Sequence, residues 1–301
     1  MGSAQASLWY FVFYIGILKV HTERKSCLRG VWHVDRKKLI SIRDLQMKFG
    51  MHHVLKGLDL DVFQGDIIGY IGPNGAGKST TIKIILGLIE DYAGEVEIFG
   101  EPLRQEKLHH KRRIGYVPES ADMYEQLTPS EYLSFTGTLY GIKPAVANEK
   151  AFQLLRLLEM EDVFHQRIDG FSKGMRQKVL IVSSLLHNPD IIFLDEPLNG
   201  LDTNSVSVMK QIFKQLATQG KTIFFSSHMM ELVENVSNRI VLLSDGKVAA
   251  DASFAELQAQ NQEGSLEGIF NQLTGFKEQE NIVESFVNYV VNQDTKRAGY
   301  A

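Results

Sequence analysis

The sequence predicts an α/β fold in which a largely parallel sheet is flanked by an antiparallel β layer and interrupted by a helical insertion. Two fully apolar segments, 191–194 and 222–225, end in polar residues, as strands of buried parallel sheets do. Earlier segments alternate apolar and polar residues, which is the period of half-buried strands. Residues 122–187 mainly follow the helical period instead. A chain of 301 residues can bury one large core or two modest ones.

The antiparallel layer is predicted from three alternating segments and is expected to flank the parallel sheet. Their apolar members are Ile40 and Ile42, then Leu58, Leu60 and Val62, then Val96 and Ile98. Near the end of the domain, Asp245-Gly246 separates the apolar segments 240–244 and 247–250, and this pair predicts a hairpin.

The helical insertion begins with a strong start signal. Residues 128–131 (Thr-Pro-Ser-Glu) combine a capping box with proline at the first helical position. After them, three apolar side chains fall on one face of the predicted helix, namely Tyr132, Phe135 and Leu139. Segments 152–158 and 179–186 continue in helical period, and Asn188-Pro189 ends the last helix.

The two ends of the chain differ from this domain. Residues 1–38 hold an aromatic-rich run and a basic stretch, and we expect an extension that is disordered or precedes a native start at Leu39. A membrane-surface anchor is the alternative, since aromatic and basic residues together suit a bilayer interface. The apolar run 8–18 is shorter than the ~20 residues that span a bilayer.

Residues 251–301 are predicted to form a helical extension that packs back on the domain. Two amphipathic stretches indicate it, the first with Leu266, Ile269, Phe270 and Leu273, the second with Ile282, Phe286, Tyr289 and Val290.

Composition excludes some functions. The net charge of −4 counts against a general nucleic-acid-binding domain, which would be basic. A single cysteine, Cys27, cannot form an intramolecular disulfide, so a reducing compartment is the default.

Residues 72–80 carry the strongest motif. They fit the phosphate-loop pattern G-x-x-x-x-G-K-[ST] and lie between a predicted strand, 66–71, and a helix from Thr80 to near Gly87. The motif consists of Gly72, Pro73, Asn74, Gly75, Ala76, Gly77, Lys78, Ser79 and Thr80. Backbone N–H groups, the helix N-terminus and the lysine would hold phosphates, and Ser79 would hold Mg²⁺. The chain is predicted to bind a nucleoside triphosphate.

Polar residues at the ends of later strands complete this site. Asp195 and Glu196 follow segment 191–194, and His228 follows segment 222–225. The carboxyl ends of strands in an open α/β sheet meet at its ligand-binding edge, so these residues should gather beside the phosphate loop. Asp195 can hold Mg²⁺ through water, and Glu196 can polarise a water for attack on the γ-phosphate.

A further motif lies at 171–177, with sequence FSKGMRQ. Ser172 precedes a helix, so its hydroxyl and the following N–H groups form an anion site. With the phosphate loop and Asp195-Glu196, this segment resembles the signature of the ATP-binding subunits of ABC transporters. Ser172 and Gly174 match that family's serine and second glycine, whereas Lys173 and Met175 depart from its commonest pattern.

The resemblance covers residues 39 to about 250. It implies a P-loop NTPase fold of the ABC type, with a RecA-like core, an antiparallel β subdomain and a helical subdomain at about 122–187. It also implies that Ser172 and Gly174 close on the ATP of a second subunit, and that Leu201-Asp202 crosses that interface.

Three more roles come from the resemblance. Phe49 matches the aromatic residue that stacks on adenine, and His228 matches the histidine that contacts the γ-phosphate. Glu119 stands where the family usually has a glutamine that reaches Mg²⁺ and the attacking water. A glutamate can still bind Mg²⁺, and its added negative charge bears on the strength of coupling to the membrane partner.

The function implied is that of an ATPase that uses ATP and Mg²⁺ and drives transport, with export as the direction. Its partners would be a second nucleotide-binding subunit and a separate integral-membrane permease, with no nucleic acid. Its location would be the cytoplasmic face of the cell membrane.

Two other classes of protein are alternatives to a transporter ATPase. One is a soluble ABC ATPase of DNA maintenance or translation. The DNA-related members carry long coiled coils between the nucleotide motifs, and no sustained heptads lie between Lys78 and Asp195. Translation-type members usually carry two such domains. The other class, a phosphate-loop kinase, does not account for residues 172–177.

Overall fold

The computed structural model describes residues 36–104, 107–119, 123–261, 263–275 and 285–290. The expectations for residues 1–38 therefore lie almost wholly outside the described part of the chain. Within it, the strands are β1 Lys38–Phe49, β2 His52–Phe63, β3 Ile67–Ile71, β4 Ala93–Ile98, β5 Glu101–Pro102, β6 Ile114–Val117, β7 Ile191–Asp195, β8 Thr222–Ser226, β9 Arg239–Ser244 and β10 Lys247–Ala252.

Helices lie between and after these strands. They are α1 Lys78–Ile85, α2 Lys107–Lys111, α3 Pro129–Leu139, α4 Pro144–Leu157, α5 Lys173–Leu185, α6 Thr203–Thr218, α7 Met230–Val236, α8 Phe254–Gln260, α9 Leu266–Thr274 and α10, residues 285–290. Short 3₁₀ turns run over Glu161–Val163 and Ile168–Gly170.

The predicted antiparallel layer is present as a sheet in the order β2-β1-β4-β5. Ile42 pairs with Leu60 on one side and with Val96 on the other, so the alternating apolar residues meet across the strands. All three side chains are buried. Their shared core lies between this layer and one face of the second sheet.

The second sheet has the order β10-β9-β3-β8-β7-β6 in the described part of the chain. Neighbouring strands from β9 to β6 run parallel, and β10 joins β9 through the predicted Asp245-Gly246 hairpin. Strands β3, β7 and β8 are buried along their whole length, as their continuous apolar sequence predicts. Their carboxyl ends therefore form one edge, and the phosphate loop follows β3 there.

Helices α3, α4 and α5 form the predicted helical insertion around a separate apolar cluster. Thr128 caps α3 through a reciprocal capping box with Glu131, as the sequence predicts. The expected apolar face of α3 is wrong, however, because Phe135 and Leu139 are 47% and 68% exposed. Leu133 and Gly137 are buried instead, since a Cβ at Gly137 would lie 2.6 Å from Cβ of Ala147 on α4. This close helix contact selects the buried face.

The C-terminal region agrees with the predicted packing only in part. Helix α9 packs on the domain through the buried residues Leu266 and Ile269. In α10, by contrast, Phe286 and Tyr289 are 68% and 70% exposed, so the second amphipathic stretch does not pack back as expected. Ile282 lies outside the described residues. No helix in the described ranges combines the length and apolar character needed to cross a bilayer.

Candidate nucleotide-binding site

The phosphate loop turns from β3 into α1. Helix α1 begins at Lys78, two residues before the predicted start at Thr80. Gly77 occupies its N-cap position with φ of 104°, a left-handed conformation that glycine adopts readily. The N-terminal N–H groups of α1 therefore open onto the loop, where they and the helix dipole favour an anion.

Lys78 points back across the loop. Its Nζ donates hydrogen bonds to the carbonyl oxygens of Gly72, at 2.5 Å, and Pro73, at 3.2 Å. Burial lowers the pKa of Lys78, while the charges of Glu196, Asp195 and Glu119 oppose that change. The ammonium is thus held where an added anion would stabilise its charge.

A buried hydroxyl pair fixes the first turn of α1 against the sheet. The Tyr70 hydroxyl donates to Oγ1 of Thr81 at 3.1 Å, and Thr81 donates to the Gly77 carbonyl at 2.9 Å. Burial raises the pKa of Tyr70, which keeps its hydroxyl protonated and able to donate. These bonds hold the loop at a set distance from β3.

Asp195 ends β7 directly beside this turn. Its Oδ1 accepts a hydrogen bond from the hydroxyl of Ser226, at the end of β8. Its Oδ2 lies 3.4 Å from Oγ of Ser79. A carboxylate and a hydroxyl oxygen are thereby fixed close together at the mouth of the loop, and both are ligand types that Mg²⁺ prefers.

Glu196 follows in a left-handed conformation, with φ of 49°, and is only 5% exposed. Its Oε2 lies 3.5 Å from the donors of Asn199 and Ser227, whereas Oε1 accepts no hydrogen bond from the described residues. Burial raises the pKa of Glu196, the charge of His228 opposes the rise, and Asp195 adds to it. The contact that Oε1 makes is with Nε2 of His228, at 3.4 Å, so this buried oxygen can still accept a hydrogen bond from a bound molecule.

These residues line one cavity of 350 Å³. Its lining is His52, Val54, Asn74, Gly75, Gly77, Lys78, Ser79, Thr80, Glu119, Asp195, Glu196 and His228. The structure thus brings together the glycine loop, both carboxylates and the histidine, as the strand ends predict, and it adds Glu119 to the same lining. A larger hollow of 530 Å³ lies between β1 and the segment before β4 and includes no residue of the two nucleotide motifs. The residues of the two nucleotide motifs therefore indicate the smaller cavity as the nucleotide site.

Other predicted site residues lie outside this lining. Gly72, Pro73 and Ala76 belong to the loop behind it, and Phe49 is 52% exposed at the end of β1. His52 and Val54, which sequence reasoning did not identify, line the cavity instead. Phe49 pairs with His52 across the β1–β2 turn, so their proximity in sequence was an available signal.

Ser172 and Gly174 also lie apart from the cavity, at the start of α5. The Ser172 hydroxyl oxygen accepts a hydrogen bond from the N–H of Met175 at 3.2 Å and caps the helix. The hydroxyl proton remains able to donate to a ligand beyond the helix end. Gly174 is buried at this point, against the loop that precedes α6.

Asp202 caps α6 at the end of that loop. Its Oδ1 accepts from the N–H of Ser205 at 2.9 Å, and its Oδ2 accepts from the Ser205 hydroxyl at 2.6 Å. These bonds lower the pKa of Asp202 to about 2. The exposed carboxylate is therefore ionised at neutral pH and held in one orientation.

Comparison with known proteins agrees with this geometry. A family model described as ABC transporter matches residues 55–199. An ABC transporter ATP-binding protein of Nostoc sp. is 40% identical over 67% of this chain and 61% of its own length. The Nod factor export ATP-binding protein I of Burkholderia lata is 32% identical over 73% of each chain. The match thus spans less than two thirds of the Nostoc protein.

Two solved structures share the fold. An ATP-binding subunit of an ABC transporter has a TM-score of 0.73 and 32% identity, covering 78% of this chain and 99% of that one. A dimeric ATP-binding cassette in a post-hydrolysis state, bound to ADP and phosphate, has a TM-score of 0.65 and 25% identity, covering 71% and 98%.

Proposed function

The chain belongs to the family of ABC transporter ATP-binding proteins, and from this premise we propose that it hydrolyses ATP as a nucleotide-binding subunit that drives a separate membrane permease. It carries an ABC ATPase domain with the P-loop fold. The observation that carries the proposal is the gathering of Lys78, Ser79, Asp195, Glu196 and His228 around one cavity.

The phosphates of ATP would lie on the N-terminus of α1, within the loop 72–80. Lys78 would exchange its carbonyl partners for β- and γ-phosphate oxygens, since a charge-assisted bond to phosphate is stronger than a bond to a neutral carbonyl. The exposed ring of Phe49 would stack on adenine, with Val54 and His52 beside it.

The oxygens at the mouth of the loop fit a magnesium ion. Ser79, Asp195 and Glu119 would hold Mg²⁺, which in nucleotide sites is bound by one or two carboxylates together with phosphates and water. When bound, Mg²⁺ neutralises charge that develops on the phosphates during transfer. Ser226 keeps the Asp195 carboxylate oriented for this purpose.

Glu196 would act as the general base. Its Oε1, which accepts no hydrogen bond from the described residues, would accept one from the attacking water and take the proton as the water oxygen bonds to the γ-phosphorus. The bond from that phosphorus to the β-phosphate oxygen breaks at the same time, and ADP leaves. Burial raises the pKa of Glu196, which brings it closer to the range that suits a base at neutral pH. His228, against Oε1, would contact the γ-phosphate.

We propose that Ser172, Gly174 and Asp202 complete the site of a second subunit in a dimer. The start of α5, where Ser172 caps the helix, would bind an anion and lies outside the lining of the chain's own cavity. The similar ATP-binding cassette bound to ADP and phosphate is a dimer, which supports this arrangement. Two ATP molecules would then join the subunits, and hydrolysis would separate them.

We place the ABC domain at residues 39–250, the helical subdomain at about 122–187 and an extension at 251–301. The permease would be an integral-membrane partner that holds this chain at the cytoplasmic face of the membrane. The direction proposed is export, because a relative 32% identical to this chain is named for Nod factor export.

Copurification tests the function. The chain, tagged and produced from its own locus in its native membrane, should retain an integral-membrane permease and hydrolyse ATP when the pair is placed in lipid vesicles. Glu196→Gln should lower turnover about 10²- to 10⁴-fold, the usual contribution of a general base. Glu161→Gln, at an exposed glutamate remote from the site, is the matched control and should leave turnover unchanged. Normal turnover in Glu196→Gln, or isolation without any membrane partner, would contradict the proposal.

A further inference from the structure

The loop that carries Glu196 is joined to the signature helix at two places. This loop, residues 196–202 and called here the base loop, runs from the end of β7 to the N-cap of α6. The signature helix is α5, which begins after Ser172. The two elements touch each other within one chain. In the proposed dimer, however, the base loop acts on the chain's own ATP and the signature helix contacts the ATP of the second subunit.

The first joint is a buried side-chain hydrogen bond. Nε2 of Gln177 donates to the carbonyl oxygen of Pro197 at 3.0 Å, and Gln177 is only 5% exposed. Pro197 directly follows Glu196, whose left-handed backbone, φ 49°, sets where its carboxylate points. Because the next peptide is held by Gln177, a shift of α5 moves the turn on which the carboxylate stands.

The second joint is a backbone contact one turn earlier on the helix. A Cβ at Gly174 would lie 2.5 Å from the carbonyl oxygen of Gly200, so the helix and the loop are packed without room for a side chain. A Cβ at Gly200 would in turn lie 2.9 Å from the side chain of Lys173. Two joints, at opposite ends of the base loop, prevent it from moving independently of α5.

The base loop is also stabilised by backbone hydrogen bonds within itself. The N–H of Asn199 donates to the Glu196 carbonyl at 3.2 Å, and the N–H of Leu201 donates to the Leu198 carbonyl at 3.2 Å. Leu198 is buried, 4% exposed. These hydrogen bonds favour movement of the whole loop, rather than local bending, when Pro197 is displaced.

We propose that Gln177 is a positioning residue that couples the two ATP sites of the dimer, by tying the helix that contacts the partner's ATP to the turn that orients Glu196 on the chain's own ATP. This inference rests on the proposed function, because it needs the composite sites. When Ser172 engages the partner's nucleotide, α5 is drawn toward the interface, and Gln177 and Gly174 carry the base loop with it.

The amide of Gln177 is needed at this position to form a directed hydrogen bond, because an apolar side chain could fill the space but could not donate one. A buried apolar residue of the same size would fill the space but would leave the Pro197 carbonyl oxygen without its donor, at a cost in stability. A hydrogen bond to one carbonyl, by contrast, fixes the register between helix and loop. Coupling between the sites should therefore be lost with the donor even in a variant that still folds.

The test compares Gln177→Met, which keeps length and removes the donor, with Gln153→Met. Gln153 pairs with Glu149 within α4 and makes the matched control. Steady-state ATP hydrolysis is measured against ATP concentration for wild type and both variants, with ATP affinity measured separately on the Glu196→Gln background. If Gln177→Met does not fold, Gln177→Asn retains the amide but withdraws it by one methylene.

Wild type and the Gln153 control should give a Hill coefficient approaching 2, the limit for two coupled sites. Gln177→Met should lower it toward 1 and reduce kcat about fivefold, the ratio that corresponds to one neutral hydrogen bond. ATP affinity should not change. An unchanged Hill coefficient with a lower kcat would assign Gln177 a merely structural role and overturn the inference.

A separate outcome identifies failure of the proposed function itself. If Glu196→Gln stays monomeric with saturating ATP, the composite sites do not exist, and the role of Gln177 falls with them. If that variant dimerises while the Hill coefficient is insensitive to Gln177, only the inference is lost.

Discussion

Oε1 of Glu196 lies 3.4 Å from Nε2 of His228, so a carboxylate with only 4% of its side chain exposed faces an imidazole that is 60% exposed. The buried partner comes from the turn after β7, and the exposed one follows β8. Both residues line the 350 Å³ cavity that the phosphate loop also lines. Its asymmetry predicts how activity and stability respond to pH.

Replacing Glu196 should stabilise the protein without nucleotide. A carboxyl whose pKa is raised on folding binds its proton more tightly in the folded state, so its contribution to stability is full at low pH and is lost as the pH rises through the folded-state pKa. Glu196→Gln cannot ionise, so it avoids the cost of desolvating the carboxylate and should gain about 1–3 kcal/mol of stability at neutral pH.

Thermal melting from pH 4 to pH 8 measures this effect. The Tm difference between Glu196→Gln and wild type should grow as the pH rises above about 4.3, the ordinary pKa of glutamate. Glu161→Gln should show no such trend. A wild type more stable than Glu196→Gln at pH 8 would mean that the carboxylate is well paired in the folded protein.

Removing the histidine should shift the pH dependence of hydrolysis. The charge of His228 lowers the pKa of Glu196, so His228→Gln should let that pKa rise further. The general base must be ionised, and the acidic limb of the pH–rate profile should therefore move to higher pH. Profiles of kcat/KM for both proteins test this. A limb that stays in place or moves to lower pH would remove the electrostatic link between the two residues.

Lys78→Ala should weaken ATP binding. Loss of one charge-assisted hydrogen-bonding group costs about 1.5–3 kcal/mol, or roughly a 10- to 150-fold rise in Kd. Lys83→Ala, at an exposed lysine one turn further along α1, is the matched control and should bind normally. Calorimetric titration with ATP measures both. Equal dissociation constants for the two variants would contradict the assignment of the phosphate loop.

Gly174→Ala should separate ATP binding from turnover. The added Cβ would meet the Gly200 carbonyl at 2.5 Å, and such overpacking costs about 1–3 kcal/mol. Displacement of the base loop should lower turnover on the order of 100-fold, as a misplacement of about 1 Å does. The ATP affinity of the chain's own cavity should be unchanged.

Gly170→Ala is its control, because nothing lies within 4 Å of a Cβ there. Turnover by Gly174→Ala equal to that of Gly170→Ala would show that the signature helix and the base loop are not mechanically linked. A loss of ATP affinity together with turnover would point to general unfolding.

Much of the fold was accessible from sequence because its signals are local. The alternation at Ile40 and Ile42, the hairpin at Asp245-Gly246 and the capping box at Thr128 each depend on neighbours within a few residues. The site at the strand ends was accessible for a similar reason. Once Asp195 and His228 follow parallel strands, the topology brings them to one edge.

The remaining features depend on distant packing. The buried face of α3 is set by the contact of Gly137 with Ala147, which no periodicity in α3 reveals. His52 reaches the cavity because β2 pairs in register with β1, and the bond from Gln177 to Pro197 needs the helix docked on the sheet. A hydrophobic pattern identifies the apolar side chains of a helix. It does not show which of them become buried when small residues bring a neighbouring helix close.

The central claim is that each ATP is held between two copies of this chain, and light scattering with nucleotide counting on Glu196→Gln tests it most directly. With ATP and Mg²⁺ this variant should elute at twice the monomer mass and carry two ATP molecules per dimer, and with ADP it should return to monomer. A variant that binds one ATP per chain with full affinity and stays monomeric at every protein concentration would contradict the claim.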